Sequence, residues 1–180
     1  MTIDLFRGKL TRLAAMNPET DAEMVTRWNE DTEYFRLLDS GPPRLFTSKN
    51  TKEWMEKRIE RGKPEFLIRE LESDKPIGFC ALWTPPPQHG NAFVAIGIGE
   101  RDYWGKGYGS DALKTLVRYG FLELNLHRVS LGVFEYNARA IKAYEKVGFK
   151  MEGRERSAML RDGKRWDFFC MGILRSEWLG

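Results

Sequence analysis

The chain predicts an α+β fold of three layers, a mixed and mostly antiparallel central sheet with helices on both faces. Three observations predict it. Apolar runs and amphipathic stretches follow the order β, α, α, α, β, β, β, α, β, α, β, β. Two pairs of apolar runs are joined by turn-forming segments, Glu72-Ser73-Asp74-Lys75-Pro76 and Arg161-Asp162-Gly163, and so read as antiparallel hairpins. Between them, the glycine-rich stretch Trp104-Gly105-Lys106-Gly107-Tyr108-Gly109-Ser110 leads from an apolar run into the longest amphipathic pattern of the chain. At 180 residues and 42% hydrophobic, residues 1–180 form a single folded domain with a core of its own.

In order, Lys9 to Ala15 reads as a short strand, and Asn17-Pro18-Glu19-Thr20-Asp21 supplies a turn and a helix start. Met24, Val25 and Trp28 form one helical stripe and Tyr34, Phe35 and Leu38 a second, with a break near Asn29 to Asp31, giving two short helices. Ser40-Gly41-Pro42-Pro43 ends them. A third helix starts near Ser48 or Asn50, carries Trp54, Met55 and Ile59, and stops at Gly62. These helices form the expected substrate-side wall. Glu65 to Leu71 and Ile77 to Thr84 are the strands of the first hairpin, and Pro85-Pro86-Pro87-Gln88-His89-Gly90 is a surface loop with His89 exposed. Asn91 to Gly99 is the next strand, in which Gly97 and Gly99 mark a bulge or a place where backbone or ligand comes close. A helix over Asp111 to Leu124 buries Leu113, Leu116, Val117, Gly120, Phe121 and Leu124. Arg128 to Phe134 is a strand. Asn137 caps a helix with a buried stripe of Ala140, Ile141, Tyr144 and Val147, ended by Gly148, and Phe149 to Leu160 and Lys164 to Leu174 close the chain.

Composition narrows the function. Twenty-nine basic against 26 acidic residues, interspersed in sign, argue against a dedicated nucleic-acid binder. The N-terminal residues lack the basic and apolar regions of a secretory signal, and no run approaches membrane-spanning length, so a cytoplasmic protein without a membrane partner is expected. Cys80 and Cys170 sit in apolar strands and read as buried, reduced thiols. With two Cys and two His no four-ligand metal spacing exists, and no metal is expected.

The glycine stretch carries the chemistry. Glycine lets N–H groups approach a ligand without an intervening Cβ, and a helix that opens there adds its unpaired N–H groups and positive dipole end, a natural anion cradle. A Mg²⁺-nucleotide loop is excluded because Gly105-Lys106 is followed by Gly107 rather than Ser or Thr. A dinucleotide fingerprint fails because its third glycine falls at Ser110 and the chain lacks further βαβ units. A plain strand-to-helix turn needs one glycine, not three in alternation.

This glycine loop, followed after a long helix and a strand by Asn137-x-x-Ala140-x-x-x-Tyr144-x-Lys146-x-Gly148-Phe149, resembles the GNAT acetyltransferase superfamily, and within it the RimJ/RimL-type branch that includes spermidine N-acetyltransferases. The resemblance is strong from about residue 65 to 175. It implies a sheet splayed between two parallel strands, Val94 to Gly99 and Val129 to Phe134, with acetyl-CoA as cosubstrate. Its pyrophosphate would lie on Trp104, Gly105, Lys106, Gly107, Tyr108, Gly109 and Ser110, its pantetheine along Gly97, Ile98 and Gly99, and Asn137 would be a further contact. Trp104 stands where the family usually has Gln or Arg. Lys106, Lys146 and Arg139 fall on the expected phosphate side.

Direct transfer to an amine needs a neutral nucleophile, a polarised carbonyl and protonation of the leaving thiolate. A backbone N–H near Ile98 would polarise the carbonyl. Tyr144, at the family's Tyr position, is the candidate general acid. Related polyamine enzymes carry a Glu where this chain has Val94, so Glu100, Glu135, His89 or a water relay is left to act as base, with Glu100 at the strand end preferred. The acceptor is a small-molecule amine or a protein N-terminus. A silent acyl-CoA sensor and an RNA-binding protein are the rival readings, and a homodimer through the C-terminal strands is compatible with the hairpin.

Overall fold

The computed structural model describes residues 4–83 and 87–178. Thr84, the expected end of a hairpin strand, and the Pro85-Pro86 part of the expected loop lie outside the described residues. The elements are β1 (Thr11–Ala14), α1 (Pro18–Glu30), α2 (Thr32–Leu38), α3 (Ser48–Glu60), β2 (Glu65–Glu70), β3 (Pro76–Trp83), β4 (Asn91–Ile98), α4 (Tyr108–Leu122), β5 (Arg128–Phe134), α5 (Ala138–Val147), β6 (Lys150–Arg161) and β7 (Lys164–Leu174). They build one seven-stranded sheet of order β1-β2-β3-β4-β5-β7-β6. Every neighbouring pair is antiparallel except β4 with β5.

Local chemistry sets the boundaries. The Asn17 side chain caps α1 by accepting from Glu19 N–H at 3.0 Å, with Pro18 at a position whose missing donor costs nothing. Asp31 both ends α1 and caps α2, taking the N–H groups of Glu33 and Tyr34, so the break between the two stripes is a single residue. The last turn is made by Asp162 and Gly163, both at positive φ (52° and 71°), as a two-residue hairpin of the type favoured by strand twist requires.

Two apolar clusters flank the sheet. One packs α4 through Leu113, Leu116, Val117 and Phe121 against Ile77, Leu82, Val129 and Ile173. The other packs α1, α2 and α3 through Val25, Trp28, Tyr34 and Met55 onto Leu67. The predicted stripe of α5 also faces the first cluster, but Ala140, Ile141, Tyr144 and Val147 stay half-buried because one side of this helix borders an open cleft. Cys80 is buried, whereas Cys170 is only partly covered.

Candidate acetyl-transfer site

The site begins where the sheet comes apart. β4 and β5 pair in parallel over Asn91–Arg128, Ala92–Val129 and Phe93–Ser130, and beyond Phe93 the ladder stops. On its other edge β4 stays paired with β3 as far as Ile98. Gly99 N–H donates to the Ile77 carbonyl at 2.9 Å, toward β3. Since successive peptide groups alternate in direction, Ile96 and Ile98 turn their N–H and C=O groups to the open side. There the Ile98 carbonyl accepts the indole N–H of Trp104 at 2.6 Å.

A cleft of about 360 Å³ fills the gap. Ile96, Gly97 and Ile98 line one wall, Asn137, Ala140, Ala143 and Tyr144 another, Tyr34, Leu37 and Leu38 of α2 close one end, and Gly105, Gly107, Gly109 and Ser110 form the other. Asp and Glu are absent from this lining.

Helix α4 starts earlier than its apolar pattern suggests, at Tyr108 rather than Asp111, so Gly109 and Ser110 belong to its first turn. Gly107, at φ 93°, makes the turn that permits this, and the Tyr108 ring packs edge-on against Tyr103 at 4.9 Å. The helix's own bonding begins with Asp111 N–H to the Gly107 carbonyl at 3.0 Å, which leaves the N–H groups of Tyr108, Gly109 and Ser110 without intrahelical acceptors. Gly105 lies at φ 73° with nothing within 4 Å of a notional Cβ. Donors, dipole and open space here suit a diphosphate.

The two strand glycines serve packing from the opposite face. A Cβ on Gly97 would sit 2.8 Å from the Tyr34 hydroxyl and 3.2 Å from Leu38, and one on Gly99 would sit 2.2 Å from the Trp28 ring. Gly99 itself does not line the cleft, nor do Lys106, which is exposed, and Tyr108, whose ring joins the core. For these three positions backbone donation at Tyr108 is the one feature aimed at a ligand.

Asn137 lines the cleft, but its side chain is busy: Oδ1 accepts Ala140 N–H at 3.2 Å and Nδ2 donates to the Leu37 carbonyl at 3.2 Å. It thereby ties α5 to the end of α2. Tyr144 faces the cleft, and burial pushes its phenol up to about 12. Glu100 departs from the expected base role. One oxygen accepts the Trp28 indole N–H at 2.8 Å, the other pairs with Lys75 at 2.5 Å, and it does not line the cleft. Burial alone would raise its pKa, but the bonds from Lys75 and Trp28 outweigh this and hold it below the usual range. Glu135 accepts Asp167 N–H at 3.0 Å, and His89 is exposed and away from the cleft.

Some lining residues were not foreseen as site residues. Tyr34 and Leu38 read with Phe35 as a core stripe and Leu37 falls outside it, and nothing local marks any of them as a site residue. Lys142 has a signal in the sequence: with Arg139 and Lys146 it repeats at helical spacing, a basic row separate from the apolar stripe that carries Tyr144.

Parallel strands that splay beside a glycine-rich, donor-bearing helix start make a cleft for an elongated ligand with an anionic group at one end. Residues 11–150 match the family described as Acetyltransferase (GNAT) domain, and the chain belongs to that family. It is 31% identical over 179 residues, 98% of this chain and 97% of the other, to the SPbeta prophage-derived uncharacterized N-acetyltransferase YokL of Bacillus subtilis. Among solved structures it is similar to spermidine N-acetyltransferase from Vibrio cholerae in complex with CoA and spermine, with TM-score 0.83 and 24% identity over 95% of this chain and 99% of that one. A GNAT-family acetyltransferase from Bacillus anthracis superposes with TM-score 0.81 at 22% identity, covering 96% and 99%. The chain is an N-acetyltransferase of the GNAT fold.

Proposed function

We propose that the protein takes acetyl from acetyl-CoA bound along the β4–β5 cleft and passes it directly to a primary amine entering from the α2 side, the amine belonging to a small molecule or a protein N-terminus. The observation that carries this reading is the opening of the sheet beyond Phe93 into a cleft whose far end is the donor-rich start of α4. Acetyl-CoA supplies an activated thioester and three phosphate groups. The chain supplies the rest. Gly105, Gly107 and the N–H groups of Tyr108, Gly109 and Ser110 hold the diphosphate. The N–H groups of Ile96 and Ile98, turned to the open side, polarise the acyl carbonyl. Tyr144, kept protonated by burial, donates to the departing sulfur.

Deprotonation of the amine is not assigned to Glu100, which is ion-paired outside the cleft. The lining residues include no Asp, Glu or His, so the amine arrives neutral or loses its proton to water. Spermine in the Vibrio cholerae neighbour supports an amine of low molecular weight, and the two-motif resemblance supports the RimJ/RimL-like branch. Thiol release from acetyl-CoA, measured over a panel of polyamines, amino acids, aminoglycosides and N-terminal peptides, tests the reading. Amine-dependent release with matching N-acetyl product supports it. Tight CoA binding without release for any amine would instead establish a sensor.

A further inference from the structure

The cleft-facing side of α5 carries Arg139, Lys142 and Lys146, and the lining includes no carboxylate. None of these cations forms an ion pair among the described residues. Arg139 differs from the other two because it is held in place by something other than an acid. Its guanidinium lies 3.7 Å from the centroid of the Trp104 ring. The indole is itself fixed: its N–H donates to Ile98 O at 2.6 Å, and the Arg101 guanidinium lies 5.1 Å from its centroid. Arg101 is fully committed elsewhere, to Asp31 at 2.5 Å and Glu33 at 2.8 Å, so it braces Trp104 without competing for a ligand.

We propose that Arg139, stacked on Trp104, is the cationic ligand of the acetyl-CoA pyrophosphate. This rests on the reading of the cleft as the acetyl-CoA site. A guanidinium stacked on an indole keeps its in-plane N–H donors free and is already oriented for two oxygens of a phosphate. Trp104 directly precedes Gly105, so the stack lies at the start of the glycine loop, where the diphosphate meets the backbone donors. Lys106, the loop's own cation, lies outside the lining, and of the three lining cations Arg139 is the one seated on the ring that opens the loop. Arg139 is exposed and so open to a ligand, and desolvation, opposed by the nearby Glu33 carboxylate, pulls its pKa down.

Calorimetric titration of wild type, Arg139→Ala and Arg139→Gln with CoA and with 3′-dephospho-CoA tests this, together with turnover of acetyl-pantetheine, which has no diphosphate. Both variants should weaken CoA and 3′-dephospho-CoA alike, roughly tenfold or more, as loss of a charge-assisted hydrogen bond requires. Acetyl-pantetheine turnover should be unchanged, and the salt dependence of CoA affinity should flatten. Trp104→Leu should weaken CoA in the wild-type background and add little to Arg139→Ala. Unchanged CoA affinity in both Arg139 variants overturns the proposal, as does a loss seen with CoA but absent with 3′-dephospho-CoA, which would move Arg139 to the ribose phosphate. An equal loss with acetyl-pantetheine overturns it by showing a structural role. A wild-type protein that binds no CoA at all would remove the cosubstrate reading itself, a distinct result.

Discussion

Replacing Tyr144 by Phe tests the chemistry of the cleft with the smallest possible change. The ring stays to pack beside Phe149 at 6.2 Å, and the hydroxyl forms no hydrogen bond to the described residues, so folding and CoA affinity should hold. The expected loss in kcat follows from the proton balance. Burial sets the phenol at about 12, whereas an ordinary thiol lies near 8.5, so complete transfer from Tyr144 to a thiolate runs uphill by about 3.5 pKa units, or roughly 5 kcal/mol. Tyr144 therefore acts by donating a hydrogen bond to sulfur as charge develops, not by surrendering its proton outright. A hydrogen bond to a charged group contributes about 1.5–3 kcal/mol, which gives a drop of roughly 10–150-fold, below the upper range of full general acid catalysis. The pH dependence has a definite sign. A phenol whose pKa is raised to about 12 stays protonated through pH 10, so the ratio of wild-type to Tyr144→Phe turnover should be the same at pH 7 and pH 10. Single-turnover thiol release across that range reads it. Equal kcat for the two proteins at every pH would refute the donor role, and a wild-type rate that collapses near pH 10 while the variant's does not would refute the burial argument.

Because the cleft lining has no Asp, Glu or His, kcat/KM should rise with pH to a break at the acceptor amine's own pKa. At pH 7.4 an α-amino group near 7.8 is then favoured roughly 300-fold over an alkylamine near 10.4 through its neutral fraction alone, as a two-acceptor pH series would show. Gly99→Ala puts a methyl 2.2 Å from the buried Trp28 ring and should cost about 1–3 kcal/mol in denaturant melts while disturbing the Trp28–Glu100 bond. Asp111→Ala removes the acceptor of three backbone N–H groups, at Lys9, Leu10 and Thr11, and of the Thr11 hydroxyl. It should destabilise the fold by about 2 kcal/mol and speed hydrogen exchange at those residues.

What the sequence reveals and what it hides divide along physical lines. Element order, both hairpins, the helix ends at Gly62 and Gly148 and the glycine loop ahead of α4 are local: each follows from turn residues, capping residues or a period of 3.6. The start of α4 was misplaced because its first turn is made of loop-like residues, and only the positive φ of Gly107 shows that the helix has already begun. Gly97 and Gly99 signalled close approach, but the approaching groups come from residues more than sixty positions away, Tyr34 and Trp28, which no local pattern connects to them. Glu100 shows the same limit. A carboxylate at a strand end beside a glycine loop reads as a base, and only the fold brings Lys75 and Trp28 onto it.

Those long-range contacts also explain why the sheet can stay open. Beyond Phe93, β4 forgoes its ladder with β5, and its outward peptide groups need other partners or a ligand. Trp104 supplies one, at the Ile98 carbonyl. The strand is held from the face opposite α4, where Tyr34 and Leu38 press on Gly97 and Trp28 on Gly99 at distances no side chain would permit. The same helices are tethered to the strand end by Trp28 to Glu100 and Asp31 to Arg101. Arg101 braces Trp104, and Trp104 seats Arg139. The groups that keep β4 from closing on β5 are thus continuous with those that orient the proposed pyrophosphate ligand. A change at Asp31, remote from any expected phosphate, should therefore be felt in CoA affinity through Trp104.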